Sequence, residues 1–206
     1  MEKRVLFDIL AEPVGGLYCE LLDFAIGECK TALLVIRKEP LSERGLALLG
    51  RLDPFLTGKE ESKVWPGTGS PDLADHELMA LVQPSSVHRY DYRRECATVL
   101  KQATDRLYGW LQPELPEDLC LLRSDGSEWL VTIAHEHESY LCLSSEEHAR
   151  LVTTVPAISS RLRDSRNRDS DMPVIREVMR LLVDWNPLGF YDESSEYDAG
   201  MEAQAV

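Results

Sequence analysis

Apolar residues fall three and four apart in some stretches of this chain and run together or alternate in others, and the two spacings separate helices from strands. Leu17, Leu21, Phe24 and Ala25 make one helical stripe within residues 17–29. Thr31–Ile36 is a short apolar run with β-branched ends, set between Lys30 and Arg37-Lys38, and predicts a buried strand. Ser42 is placed to cap a helix through Leu49 and Leu52, with Glu43 at its positively polarised end and Pro54 as its limit. Gly58, Pro66, Gly67, Gly69 and Pro71 mark residues 57–72 as a loop around a short strand at 63–65. Residues 87–92 alternate and predict another strand.

Between 94 and 111, Cys96, Val99, Leu100, Ala103, Leu107, Trp110 and Leu111 form the clearest amphipathic pattern. It predicts a helix of about five turns, ended by Pro113 and Pro116. Residues 119–122, the turn around Asp125-Gly126, and residues 129–134 read as strand, turn and strand, because Asp-Gly between apolar runs favours a hairpin. Residues 139–143 add a third strand, and Ser144 or Ser145 caps the helix that follows, with Glu146 and Glu147 in its first turn. Residues 159–171 carry four Arg and three Asp with Leu162 as their one aliphatic residue, the composition of a linker or exposed helix end. Pro173 suits a helix start, and Val174, Ile175, Val178, Leu181 and Leu182 continue that helix to about Trp185.

The expected fold is α+β. A mainly antiparallel sheet, including the three-strand meander at 118–143, is covered by helices on one face and followed by a C-terminal helix and an acidic tail. Trp129, Val131 and Ile133 are expected on one side of their strand, opposite Leu130, Thr132 and Ala134. The implied organisation is an α+β domain at 1–158, an Arg/Asp-rich stretch at 159–172, and a helix with acidic tail at 173–206.

A chain of 206 residues, 44% hydrophobic and 28% charged, fits one domain with at most a small appendage. It has no apolar run of the ~18 residues that a membrane span needs. Val5-Leu6-Phe7 before Asp8 is too short for a signal-peptide core, so a soluble cytoplasmic protein is expected. Cys19, Cys29, Cys96, Cys120 and Cys142 are scattered and read as reduced thiols, with Cys120 and Cys142 as small core side chains.

The net charge of −14 opposes binding to nucleic acid or anionic membrane and suits a basic protein partner. It is uneven. From 184 to 206 the charged residues are Asp184, Asp192, Glu193, Glu196, Asp198 and Glu202, with no Lys or Arg, and these six are the candidate partner-binding residues.

Catalytic signals are sparse. Gly67-Thr68-Gly69-Ser70 lacks the Lys and flanking elements of a phosphate loop, and no Gly-x-Ser-x-Gly elbow occurs. The chemical candidate is the His135/His137 pair. On a strand two residues two apart share a face about 6.6 Å apart, which suits one metal ion. Glu136 and Glu138 would then point away, and His148, His88 and His76 are equivalent as third ligands. A metal-dependent hydrolase is therefore the alternative function, and no cofactor is expected for the leading one.

Two segments resemble known groups. LYGWLQP at 107–113, PELPEDLCLLRSDGSEWLVTIAHEHE at 113–138 and WPGT at 65–68 resemble a group of uncharacterised bacterial proteins, which carries no catalytic residues over. LLVDWNPLGFYDESSEYD at 181–198 resembles the Trp-Asp-Pro-Ile-Gly segment of small bacterial immunity-type domains, with Asn186 for the usual Asp and Leu188 for the usual Ile. The second resemblance implies a non-enzymatic inhibitor of a basic toxin.

Overall fold

A computed structural model of the chain describes residues 3–68 and 83–167. Those residues form an α+β fold around one eight-stranded antiparallel sheet. The strands are β1 (Val5–Ile9), β2 (Thr31–Ile36), β3 (Leu56–Ser62), β4 (Ser85–Asp91), β5 (Glu117–Leu122), β6 (Glu128–Ile133), β7 (Glu138–Leu143) and β8 (Leu162–Asp164). Their order across the sheet is β3-β4-β2-β5-β6-β7-β1-β8. The helices are α1 (Gly16–Glu28), α2 (Glu43–Leu52), α3 (Arg94–Ala103), α4 (Ser145–Thr154) and α5 (Pro156–Ser159). Among the described residues no helix is long and apolar enough to cross a membrane. The compact unit runs through Ser165.

Local signals place most of these elements. The Ser42 hydroxyl accepts from the Gly45 N–H at the start of α2. Ser144 and Glu147 form a reciprocal capping box on α4, satisfying two backbone donors that a helix start would otherwise leave open. The meander β5-β6-β7 pairs as its turns imply.

The sheet buries both faces. On the helical side, α1, α2 and α3 contribute Tyr18, Leu21, Leu22, Leu48, Leu52 and Leu100 to the main core. On the other side a smaller cluster joins Leu33, Val35, Val87, Cys120, Leu122 and Val131 under the indole of Trp65. Gly67 makes this cover possible. It has φ +93°, and a Cβ there would meet Ile133 Cγ1 at 3.1 Å and Val131 Cγ1 at 3.3 Å.

Several expectations are corrected. The stripe at 94–111 is not one helix: α3 ends at Ala103, and Thr104 is extended. The backbone beyond it bonds to the segment before α1 instead, with the Gly15 N–H on Asp105 O at 2.6 Å and the Leu107 N–H on Pro13 O at 3.2 Å. Leu107 and Trp110 remain buried, but from a 3-10 turn and its exit. The strand expected at 63–65 lies upstream, as β3, and residues 65–68 form a turn in which the Thr68 hydroxyl bridges the Trp65 backbone.

Trp129 does not side with Val131. The β5-β6 register shifts so that Leu121 faces Leu130 while Leu122 faces Glu128. Trp129 is thus the extra residue of a bulge and turns into the helical core against Phe24. Leu162–Asp164, inside the expected linker, is β8 and pairs with β1. There Asp8 is buried and accepts from the Ser165 hydroxyl at 3.1 Å. The helix expected from Pro173, the turn at 186–189 and the acidic stretch lie outside the described residues.

Candidate functional site

Among the described residues, a chemically varied cavity lies on the Trp65 face of the sheet. It measures about 260 Å³ and is lined by Arg37, Lys63, Trp65, Thr68, Asp118 and His135 among others. Its floor is the start of β5. Along a regular strand Glu117 and Asp118 would point to opposite faces. Here the β2-β5 register slips between Leu33 and Val35, and Asp118 takes a left-handed backbone with φ 56°. The bulge and the left-handed residue together bring both carboxylates to the same side, and bulges re-aim side chains in this way.

Each carboxylate is held. Asp118 Oδ2 accepts from the Trp65 indole N–H at 3.1 Å, and Asp118 Oδ1 accepts from the Ala134 N–H at 3.1 Å. Asp118 therefore ties the 65–68 turn to β5 and to the end of β6. Glu117 is paired with the Arg37 guanidinium, which also lies 5.9 Å from the Trp65 ring centroid. Gln112 holds the Arg37 backbone, its Oε1 accepting from the Arg37 main-chain N–H at 2.9 Å. Glu117 is 7% and Asp118 2% exposed. Burial pushes the Asp118 carboxyl above its ordinary range, against the opposing pull of the Ala134 and Trp65 donors.

The two sequence candidates part company here. His135 and His137 are not on a strand: residues Ala134–Glu136 form a 3-10 turn, and His137 caps it with φ 57°. His135 joins Glu117 and Asp118, and one ligand atom from each of the three lies within 4.8 Å of the others. Glu136 lines the same cavity, contrary to the alternation that a strand would impose, and its Oε1 is 3.8 Å from His135 Nε2. His137 instead packs on Tyr108, with ring centroids 5.4 Å apart. The Tyr108 hydroxyl bonds to the Ser139 hydroxyl at 2.9 Å.

Of the other histidines considered, His88 is buried beside Tyr90 at 3.1 Å and His148 stacks on Phe7, so neither is in this ligand group. His76 lies outside the described residues, as do Asp184, Asp192, Glu193, Glu196, Asp198 and Glu202. The sequence reading missed Glu117 and Asp118. Their one local mark is an acidic pair opening an apolar run.

The five cysteines are free thiols. Cys120 is fully buried and Cys142 half-buried, and burial raises both thiols. The chain matches no protein-family model, and no curated protein or solved structure matches it.

Proposed function

We propose that the chain is a non-enzymatic binding protein that engages a cationic protein partner through its acidic C-terminal stretch. The observation that carries this reading is the partition of charge. Residues 3–68 and 83–167 hold 23 acids and 19 bases, close to balance. Residues 168–206 hold nine acids and three bases, and from 184 onward six acids and no base. Acids gathered in this way favour encounter with a basic surface, because long-range attraction acts before contact and raises the association rate.

The resemblance of 181–198 to immunity-type domains makes a basic toxin the narrower form of the partner. The alternative, a metal-dependent hydrolase on the His135/His137 pair, has its two histidines in separate surroundings, one beside Asp118 and one on Tyr108. The test is affinity capture from the native cell with the full chain, beside a variant in which Asp184, Asp192, Glu193, Glu196, Asp198 and Glu202 become Asn or Gln. The proposal expects a basic protein retained by the first and reduced or lost with the second. Equal recovery of the same partner by both would refute it.

A further inference from the structure

We propose that Glu117, Asp118 and His135 form a binding site for one divalent transition-metal ion of the zinc class. The inference goes beyond the partner-binding reading and stands or falls independently of it. It begins with the backbone. The register slip opposite Val35 and the left-handed Asp118 place two consecutive carboxylates on one side of β5. The 3-10 turn after β6 then brings an imidazole to them, with the three ligand atoms within 4.8 Å of one another. Bound zinc sits about 2.0–2.2 Å from nitrogen and oxygen ligands, so closing around an ion asks for a small inward movement. His135 is free to make it, because its side chain is 46% exposed at the mouth of the cavity.

Charge points the same way. Two carboxylates removed from water repel each other unless a cation or proton answers both. Arg37 answers Glu117 through Oε2. At the rim, Lys63 and Glu136 bring one charge of each sign. A ligating imidazole is uncharged. Among the described residues the site therefore sets three carboxylates against two cations, an excess of one negative charge that a divalent ion would reverse.

The bonds already present leave room for ligation. A carboxylate offers about four lone-pair positions. Asp118 uses one on each oxygen for the Trp65 and Ala134 donors, and Glu117 uses Oε2 for Arg37. Such partners hold ligating groups in orientation and strengthen metal sites. Two oxygens and one imidazole nitrogen suit zinc or manganese better than magnesium, which prefers oxygen and water alone.

The test is equilibrium dialysis of the full chain against zinc chloride, read by elemental analysis, with cobalt(II) absorption as a spectroscopic probe of the same site. The expected result is one saturable zinc per chain. His135→Ala and Glu117→Gln should each weaken it by at least about tenfold and abolish the cobalt bands. His148→Ala, at a ring stacked on Phe7 outside this ligand group, should leave both readouts unchanged. His135 is exposed, so its variant keeps the test valid even if Glu117→Gln perturbs the fold. Absence of saturable zinc, zinc affinity unchanged in His135→Ala, or magnesium bound as tightly as zinc would each overturn the proposal.

Discussion

Removing the Glu147 carboxylate should be among the most damaging single changes in the described fold. Arg123, just past the end of β5, donates from Nε to Glu147 Oε1 and from an Nη to Glu147 Oε2, both at 2.8 Å. Its remaining donors reach the carbonyls of Glu128 and Cys142. Glu147 also accepts from the Ser144 N–H at 2.7 Å, closing the cap of α4. The two side chains are 8% and 11% exposed, so water cannot replace a lost partner.

Glu147→Ala leaves a buried guanidinium without its counter-ion and a cap donor without its acceptor. Breaking a buried pair from one side costs about 3–5 kcal/mol. For a chain of this length that is a fall in Tm of about 6–20 °C, at about 2–4 °C per kcal/mol. The assay is urea and thermal unfolding at pH 7 of wild type, Glu147→Ala, Arg123→Met and the double variant. The double variant should recover much of the single-variant loss, because it leaves no unpaired buried charge. A loss below about 1 kcal/mol for Glu147→Ala, the level of an exposed pair, would refute the burial argument. So would simple additivity in the double variant.

The same glutamate gives a pH signature. Burial alone would raise it, but the Arg123 and Ser144 donors outweigh burial and hold its carboxyl below the usual carboxylate range. A depressed folded pKa gives stability that is present above the unfolded value and lost as pH falls through the folded one. Acid unfolding should therefore shift to higher pH in Glu147→Gln, and an unchanged acid midpoint would count against the pairing. His88 acts in the near-neutral range. Burial, aided by Lys59, lowers it from 6.5, so the unfolded chain takes up the proton first and stability declines as pH drops below about 6.5. His88→Gln should flatten that decline in unfolding free energy between pH 7 and 5. Trp110 is fully buried, so Trp110→Ala should cost about 3–5 kcal/mol in urea, against less than about 0.5 kcal/mol for the exposed Glu114→Ala. Gly67→Ala should cost about 1–3 kcal/mol through its positive φ and its contacts with Ile133 and Val131.

Elements whose cause is local were legible in the sequence. Ser42 and Ser144 act through donors three residues on, and Thr31–Ile36 is apolar enough to lie centrally in the sheet. The three strands that escaped notice are β1, β3 and β8. β3 and β8 form the two edges and carry no continuous apolar run, and β1, next to β8, has only Val5-Leu6-Phe7 before Asp8. Their stability comes from partners distant in the chain, such as Leu143 for Val5 and Arg163 for Asp8. The helix at 94–111 was overrun because its apolar spacing continues while its backbone bonds go elsewhere, to residues 13–15. At the candidate site His135 stood out by type. Glu117 and Asp118 did not, because a bulge opposite β2 and a left-handed residue set their direction, and neither shows in residue spacing. The WPGT and LPEDLCLL segments, which share one resemblance in the sequence, meet through the hydrogen bond from the Trp65 indole to Asp118, 53 residues away in the chain.

Association kinetics test the proposed function most directly. The captured partner is mixed with the full chain and with the variant neutralised at Asp184, Asp192, Glu193, Glu196, Asp198 and Glu202, at low and at physiological ionic strength. Steering by the acidic stretch predicts an association rate about tenfold or more faster for the full chain at low salt, a gap that narrows as salt rises, and nearly equal dissociation rates. Equal association rates at low salt, with any loss of affinity confined to dissociation, would contradict it.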